Sequence, residues 1–341
     1  MIIVDGEVLE DDYIPPDIPC REIQKKELAF CLKRLKNGRK PLDCLCYGKP
    51  GTGKTLLVKH VLNQLKEKTR VQTFYVNCWE KRTLAEILDD LLVQAGIPVA
   101  SSSCTAKYSR LKKMVKSPII IALDEADKLK FRELNDTLYL LKTLNKVTLI
   151  LISNSRRYIL NLDPRVESRL NFHLIHFPPY SQEELITILR HRVVDCKALY
   201  PGACDNKVLE LIAKLANGDA RVALQTLKNA AQIAEDLGRG KITIEDLVKA
   251  RKKLEEVKKR YRLKALGEHY ELIYEIIKEN NGITSRELYT RYTEKCLEKG
   301  LNPKSYRSLN NYLQELIRMG YIKIERVNMK GNIRRFVVKQ C

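Results

Sequence analysis

A glycine-rich segment that ends in a lysine and a threonine is the first feature of this sequence that could do chemistry. Gly48, Gly53, Lys54 and Thr55 have the spacing G-x-x-x-x-G-K-T, and they follow an apolar run at 42–47. This is the P-loop pattern, in which backbone N–H groups surround phosphate oxygens because glycine has no Cβ to obstruct them. The lysine supplies a positive charge to the β- and γ-phosphates, and the threonine hydroxyl is a ligand for Mg²⁺. The nucleotide-binding residues predicted from this pattern are Gly48, Lys49, Pro50, Gly51, Thr52, Gly53, Lys54, Thr55 and Leu56.

Three polar residues at the ends of two other apolar runs suit the chemistry of such a site. Asp124 and Glu125 follow the run at 119–123, and Asn154 follows the run at 148–153. Ligands of parallel sheets bind beyond the carboxyl ends of the strands. We therefore expect Asp124 to hold Mg²⁺ through water, and Glu125 to orient or deprotonate an attacking water. Asn154 is predicted either to hydrogen-bond the γ-phosphate or the attacking water, or only to cap a turn.

Composition limits the class of protein and its partners. The chain has 341 residues, of which 44% are hydrophobic, and this length predicts two or three domains with their own cores. Its 62 lysines and arginines exceed its 42 acidic residues, which gives a net charge of +20. Such an excess indicates a polyanionic partner, most simply nucleic acid, although a well-solvated basic surface explains it equally well.

Targeting segments and a disulfide framework are not expected. The acidic start MIIVDGEVLEDDY lacks the features of a signal peptide, and no apolar run approaches the roughly 18 residues of a membrane span. The ten cysteines are scattered without a CxxC pair, so we expect reduced thiols and no zinc site. We therefore expect a cytoplasmic, nucleoid-associated protein with no membrane partner.

Three patterns follow one another along the chain. Short apolar runs alternate with helical patterns from about residue 40 to 180, and this predicts an α/β domain with a parallel sheet over 1–180. Residues 181–264 have helical patterns that begin with the capping box SQEE, and they predict a small all-α domain. In 265–341, three helical patterns precede a predicted β-hairpin, which is the order of a winged helix.

The third predicted helix of the last domain has one apolar and one polar face. Leu309, Leu313 and Leu316 recur at helical spacing, and polar residues occupy the opposite face. Arginine, asparagine and glutamine make bidentate contacts with bases in the major groove, and residues 251–341 contain 22 basic against 11 acidic residues. These features favour DNA binding over a solvated helix or a protein-binding winged helix. The predicted DNA-binding residues of this helix and of the hairpin are Lys304, Ser305, Arg307, Asn311, Gln314, Arg318, Lys330, Arg334 and Arg335.

Several stretches resemble, in order, the motifs of one family of AAA+ ATPases. YGKPGTGKT resembles its P-loop, LDEADKL its Walker B segment, ISNS its sensor 1 and LDPRVESRL its arginine-finger segment. DDYIPPDIPCREIQ resembles the family's N-terminal signature, FPPYSQEEL the boundary with its lid and NGDARVAL its sensor 2. The sequence thus resembles the archaeal replication initiators, which are related to origin recognition complex subunits and the Cdc-type helicase loader. The resemblance runs from about residue 10 to 235, and the winged helix follows where the family has one.

The resemblance implies roles that the residues alone do not. The residues implied near the adenine base are Tyr13, Ile14, Pro19 and Arg21. Asn154 is implied as sensor 1, and Arg221 as the lid arginine that reaches the γ-phosphate. Arg169 is implied as a catalytic finger for the ATP of a neighbouring protomer, with Arg165 as a second candidate. A finger of this kind accelerates transfer by about 10³–10⁵-fold.

The sequence departs from the family pattern at three places. Cys20 stands where the family often has histidine, and Val222 stands where a second arginine is common. The stretch 128–146 is shorter than the region in which the family carries an inserted, DNA-contacting helix, so a DNA contact there is left open.

The function implied by the resemblance is the ATP-dependent initiation of DNA replication by a slow AAA+ ATPase that binds ATP or ADP with Mg²⁺. The implied partners are double-stranded origin DNA, a replicative helicase of the MCM type and further initiator protomers. Two other classes of function stay open at this point. One is a nucleotide-locked DNA-binding regulator with little hydrolysis, and the other is a helper ATPase of a mobile element or of a clamp-loader-like machine.

Overall fold

The computed structural model of the chain describes residues 2–37, 41–99, 103–157, 162–170, 172–327 and 333–339. The chain divides into two units, Met1–Ala250 and Arg251–Cys341. The first unit contains both the predicted α/β region and the predicted all-α region. The second begins before residue 265, where the winged helix was predicted to start, because the division falls within the helix Ile244–Leu266.

A five-stranded parallel sheet forms the centre of the first unit. Its strands are β1 (Cys44–Tyr47), β2 (Gln72–Asn77), β3 (Ile119–Asp124), β4 (Val147–Ser153) and β5 (His173–His176). Their order is β2-β3-β4-β1-β5, and each neighbouring pair is parallel. β3 and β4 are buried along their whole length, as is typical of central strands covered on both faces. The predicted parallel sheet is thereby confirmed, and the carboxyl ends of its strands lie at one edge.

Helices cover both faces of this sheet. They are α1 (Glu22–Leu32), α2 (Lys54–Lys68), α3 (Leu84–Gln94), α4 (Cys104–Met114), α5 (Phe131–Thr143) and the short α6 (Pro164–Glu167). Alternate residues of β3 belong to two hydrophobic clusters, as the period of a strand requires. Ile119 and Ile121 pack with residues of α3, α4 and α5, whereas Ile120 and Ala122 pack with residues of α1 and α2.

The all-α part of the first unit is built on four helices. They are α7 (Gln182–Arg190), α8 (Asn206–Ala216), α9 (Ala220–Asp236) and the first turns of α10 (Ile244–Leu266), which continues past Ala250 into the second unit. The predicted capping box is confirmed, because Ser181 Oγ accepts from the Glu184 N–H and the Glu184 carboxylate accepts from the Ser181 N–H. The core of this part also contains Ile2, Val8 and Leu9 from the start of the chain. The first residues therefore pack with the helical part, although the sequence pattern assigned 1–180 to the sheet domain.

The second unit has the element order expected of a winged helix. Its elements are α11 (Glu268–Glu279), β6 (Ile283–Thr284), α12 (Ser285–Glu298), α13 (Tyr306–Arg318), β7 (Ile322–Val327) and β8 (Ile333–Val338). The strands form an antiparallel sheet in the order β6-β8-β7. Leu309, Leu313 and Leu316 of α13 are buried in the core of this unit. Within the described residues, no helix combines the length and apolarity that are needed to cross a bilayer.

Candidate nucleotide site and nucleic-acid interface

A cavity of about 640 Å³ lies between the P-loop, the helical part of the first unit and the N-terminal segment. This volume falls within the range of about 300–1,000 Å³ that is typical of small-molecule sites. Among the predicted nucleotide-binding and catalytic residues, the cavity wall contains 51–56, Pro19, Glu125, Asn154 and Arg221. The fold therefore brings together residues from five distant parts of the sequence.

Two glycines of the P-loop are required by its shape and by its neighbours. Gly51 and Gly53 have φ angles of +73° and +81°, a conformation that other residues rarely adopt. A Cβ at Gly51 would lie 2.0 Å from the Asp219 carboxylate, and one at Gly53 would lie 2.5 Å from the Tyr180 hydroxyl. The Ala220 N–H also donates to the Gly51 carbonyl at 3.0 Å. The P-loop therefore packs closely against the start of α9. The helix α2 begins directly after the loop, and its N-terminal N–H groups face the cavity.

Lys54 places a buried ammonium group at the centre of the site. Its Nζ donates to the Gly48 carbonyl at 2.7 Å and to Asn154 Oδ1 at 3.2 Å, which joins the ends of β1 and β4. Burial lowers the pKa of Lys54, and the nearby Glu125 carboxylate opposes this effect. Because the Lys54 ammonium group is buried and bound to neutral acceptors of the loop and Asn154, it is well placed to form stronger hydrogen bonds with charged phosphate oxygens.

The two carboxylates at the end of β3 are held in different ways. Asp124 Oδ2 accepts from Thr55 Oγ1 at 2.8 Å and from the Tyr75 hydroxyl at 2.6 Å, and its Oδ1 accepts from the Glu125 N–H at 2.8 Å. Glu125 has a φ of +53°, which is uncommon for a residue other than glycine and is often found at functional sites. Its Oε2 accepts from Asn154 Nδ2 at 3.1 Å. Asn154 therefore links the lysine and the second carboxylate.

The donor set at the end of β3 fits Mg²⁺ that arrives with a nucleotide. The Thr55 hydroxyl and the Asp124 carboxylate are oxygen ligands 2.8 Å apart, and Mg²⁺ is usually held by one or two carboxylates together with phosphate oxygens. Within the described residues, no group of three histidine, cysteine, aspartate or glutamate side chains could hold a metal ion by itself. The described residues thus fit a metal that is shared with phosphates.

The structure places Arg21 behind the P-loop, away from the cavity wall. Its side chain is 2% exposed, and it donates to the carbonyls of Thr52 at 3.0 Å and Pro178 at 2.8 Å. The guanidinium carbon also lies 3.5 Å from the ring centroid of Tyr180. Arg21 therefore joins the P-loop to the segment after β5, and no contact with a base follows from this position.

The other residues implied near the base are divided between two places. Pro19 lines the cavity, whereas Tyr13 does not, and the Tyr13 ring lies 4.9 Å from the guanidinium of Arg192. Ile14 lines a separate cavity of about 180 Å³. Residues 48–50 also lie off the main cavity wall, and the carbonyls of Gly48 and Lys49 bind Lys54.

Several residues of the cavity wall were not predicted from the sequence. They include the acidic run 10–12, Lys59, Arg192 and Leu224. Leu224 follows Arg221 by one helical turn, so helical spacing could have found it. Arg192 is 3% exposed and donates to the carbonyls of Val8 and Tyr13, and burial lowers its pKa. No local signal marks Arg192, because its partners lie more than 170 residues away.

The two candidate finger arginines lie on the surface of the first unit. Arg165 and Arg169 are both exposed, and neither lines the cavity of its own chain. The guanidinium of Arg169 lies 4.5 Å from the ring centroid of Tyr139, and it donates to the Tyr139 hydroxyl at 3.4 Å. This arrangement holds Arg169 at the surface of the first unit, outside the cavity of its own chain.

The second unit presents the predicted polar face of α13 to solvent. Its exposed residues are Lys304, Ser305, Arg307, Asn311, Gln314 and Arg318. Ser305 also caps the helix, because its hydroxyl accepts from the Ser308 N–H at 3.3 Å. The exposed Arg318 donates to the half-buried Glu315 carboxylate at 3.4 Å, and a surface pair of this kind adds little stability.

The predicted basic residues of the hairpin do not form one surface. Arg334 and Arg335 are exposed and consecutive in β8, so they point to opposite faces of the sheet. Arg335 is in register with Glu325, and Arg334 is in register with Arg326. Lys330 lies outside the described residues.

Comparison with known proteins places this architecture in a family. Residues 41–158 match the AAA domain family, and residues 186–252 match the Cdc6 AAA+ ATPase-type lid domain. The chain is 35% identical over 343 residues to the ORC1-type DNA replication protein 1 of Sulfurisphaera tokodaii, covering 94% of this chain and 86% of that one. The chain belongs to the Orc1/Cdc6 family of AAA+ replication initiators. The family resemblance, the fold class and the AAA+ ATPase domain expected from the sequence are thereby confirmed.

Solved structures of this family share the whole fold of the chain. The Aeropyrum pernix ORC1 protein in complex with DNA is 31% identical, with a TM-score of 0.76 over 100% of this chain and 94% of that one. The Aeropyrum pernix ORC2 protein in its ADPNP–ADP complexes is 26% identical, with a TM-score of 0.67 over 99% of this chain and 94% of that one.

Replacement of Lys54 by methionine should weaken ATP and ADP binding by about 2–5 kcal/mol, because removing one partner of a desolvated charge pair costs energy of this order. Titration calorimetry measures the effect. Lys49→Met is the matched control, since Lys49 is exposed and only its backbone carbonyl takes part in the site. Equal nucleotide affinity of the two variants would contradict the assignment of Lys54.

Proposed function

We propose that the protein is an ATP-dependent replication initiator that binds duplex origin DNA and helps to recruit or load a replicative helicase of the MCM type. The observation that carries the DNA part is the exposed polar face of α13, whose apolar face forms the core of the second unit. Arg307, Asn311 and Gln314 are the residue types that make bidentate contacts with bases. The similarity to the Aeropyrum pernix ORC1 protein, which was solved in complex with DNA, supports the same partner.

The proposed nucleotides are ATP and ADP with Mg²⁺, bound in the 640 Å³ cavity. The related Aeropyrum pernix ORC2 protein, solved with ADPNP and ADP, supports this choice. Lys54 exchanges its loop carbonyls for phosphate oxygens, and Arg221 approaches them from the start of α9. Bound Mg²⁺ neutralises charge that develops on the phosphates.

Hydrolysis is proposed to need two chains. Glu125 faces the cavity and is oriented by Asn154, so it is placed to hold or deprotonate the attacking water. Arg169 does not reach the cavity of its own chain and is held outward on Tyr139. A single protomer therefore lacks one cation of the transition state, and we expect slow turnover until a neighbour supplies Arg169.

A mixture of two inactive variants tests the shared site. Glu125→Gln removes the group that activates water, whereas Arg169→Ala leaves a protomer able to hydrolyse ATP only with a partner's arginine. Each variant alone should show little ATPase activity, and an equimolar mixture should recover turnover well above the sum of the two. Phosphate release at increasing protein concentration measures this.

Two other results would contradict the shared site. If both variants are inactive and the mixture stays inactive, Arg169 does not act on the ATP of a neighbour, and the same mixture made with Arg165→Ala tests the second candidate. If Glu125→Gln hydrolyses ATP like the unchanged protein, Glu125 does not activate water. A protein that binds nucleotide but never hydrolyses it under any of these conditions would be the nucleotide-locked regulator.

DNA recognition is tested by comparing two substitutions in α13 and the turn before it. Arg307→Ala should weaken binding to an origin duplex by about 1–3 kcal/mol and reduce its preference over a scrambled duplex, because the arginine reads base edges. Lys304→Ala should weaken binding to both duplexes equally and lower the dependence of log affinity on log salt by about one, as expected for a phosphate contact. Footprinting and fluorescence anisotropy over a salt series measure both effects.

The control for this comparison is Lys278→Ala, which removes an exposed charge from α11. It should leave the footprint and the preference for the origin duplex unchanged. If the unchanged protein protects no defined repeat in chromosomal origin DNA, or if Arg307→Ala keeps the full preference, the proposed recognition by α13 is wrong.

A further inference from the structure

We propose that Tyr75 is a positioning residue for the magnesium–nucleotide site, because its hydroxyl holds the Asp124 carboxylate in the orientation that meets the metal. This role rests on the proposed binding of Mg²⁺ and nucleotide in the main cavity. Tyr75 was not among the residues expected to act at this site, and it does not line the cavity wall. It would act through Asp124 and would not touch the nucleotide.

Hydrogen bonds from the described residues fill all but one of the acceptor positions of the Asp124 carboxylate. Asp124 is 4% exposed, and its carboxylate accepts three hydrogen bonds, two on Oδ2 from Thr55 and Tyr75 and one on Oδ1 from the Glu125 N–H. A carboxylate has about four lone-pair positions. Both positions of Oδ2 are therefore filled, and the remaining one on Oδ1 is available to a metal ion or to a water bound to it. Because the Thr55 proton is directed at Asp124, the lone pairs of the Thr55 hydroxyl remain free for the metal.

The strand register explains how Tyr75 reaches Asp124. Asn77 on β2 pairs with Asp124 on β3, and Tyr75 pairs with Ala122. Residues two apart on a strand share a face of the sheet, so Tyr75 and Asp124 are diagonal neighbours on one face. The long side chain of a tyrosine can reach a neighbour of this kind on the adjacent strand. The hydroxyl oxygen accordingly lies 2.6 Å from Asp124 Oδ2.

The backbone of Tyr75 is fixed although β2 is an edge strand. On the open side of the strand, the side-chain amide of Gln94 donates to the Tyr75 carbonyl at 2.8 Å and accepts from the Tyr75 N–H at 3.2 Å. The same amide donates to Asp90 one helical turn earlier. At this one residue, Gln94 makes the two backbone hydrogen bonds that a neighbouring strand would otherwise make. These bonds fix the Cα of Tyr75 and therefore help to orient its side chain.

A contact with the face of the ring also orients Tyr75. The ammonium group of Lys59, which also lines the nucleotide cavity, lies 4.5 Å from the centroid of the ring. A cation–π contact from α2, the helix that follows the P-loop, therefore helps to fix the ring of Tyr75.

Loss of the Tyr75 hydroxyl should lower the affinity for Mg²⁺ and leave the affinity for nucleotide in the absence of metal unchanged. In Tyr75→Phe the ring still packs, but Asp124 Oδ2 loses one of its two donors and the carboxylate is free to rotate. Loss of a group that orients a metal ligand typically lowers metal affinity by about 10–100-fold. The Lys54 and P-loop contacts with phosphate do not involve the hydroxyl, so binding without metal should persist.

The test is calorimetric titration of the full chain with ADP over a range of Mg²⁺ concentrations and in EDTA. The unchanged protein is compared with Tyr75→Phe and with Tyr108→Phe. Tyr108 is the matched control, because its hydroxyl is hydrogen-bonded to Thr143 in the same unit, away from the cavity. For Tyr75→Phe, the Mg²⁺ concentration that gives half of the full change in ADP affinity should rise by about 10–100-fold. Its ADP affinity in EDTA and its melting temperature should match those of Tyr108→Phe.

Each other outcome overturns the proposed role. An unchanged Mg²⁺ dependence would show that Asp124 needs no help from Tyr75. A lower Mg²⁺ requirement would show that the hydroxyl competes with the metal, and an equal loss of affinity in Mg²⁺ and in EDTA would show a general structural role. If the unchanged protein binds no ADP, the proposed nucleotide function fails and the role of Tyr75 fails with it. If the unchanged protein binds ADP and Tyr75→Phe shows the same Mg²⁺ dependence of ADP affinity, the role of Tyr75 fails but the proposed nucleotide function does not.

Discussion

The contact between the P-loop and the first residues of α9 is the constraint on which the nucleotide site depends. The Ala220 N–H donates to the Gly51 carbonyl, and Asp219 lies so close to Gly51 that no Cβ fits between them. Asp219 also caps α9 by accepting from the N–H groups of Arg221 and Val222. The same few atoms thus fix both the P-loop and the start of the helix that carries Arg221. In the proposed function, a nucleotide in this cavity meets both.

The N-terminal segment joins the two parts of the first unit across the same cavity. Ile2, Val8 and Leu9 are buried in the helical core, residues 10–12 line the cavity, and Ile18 is buried against the sheet. Arg192 fixes the segment by donating to two of its backbone carbonyls. The cavity therefore has three walls of separate origin, and one of them comes from the start of the chain.

The sequence predicted the features that depend on local patterns and missed those that depend on contacts between distant residues. The P-loop, the strand ends at Asp124 and Asn154, and the polar face of α13 are local patterns, and all three could be predicted. Arg21 instead binds carbonyls 31 and 157 residues away, which no local pattern indicates. The proposed role of Tyr75 and the contacts of Arg192 depend on partners 49 or more residues away. The resemblance to the family named Tyr13 and Ile14 as neighbours of the base, but it could not give the directions of their side chains. Contacts that only the tertiary structure creates are therefore the part of the site that the sequence leaves undetermined.

Hydrogen exchange of the full chain, with and without ADP and Mg²⁺, tests the central claim that one nucleotide holds the P-loop, the lid and the N-terminal segment together. The structure predicts that ADP slows exchange in three places at once, at 48–56, at 219–224 and at 8–14. Slowing that is confined to 48–56 would show that the nucleotide binds the P-loop alone and that the lid and the N-terminal segment do not respond to it.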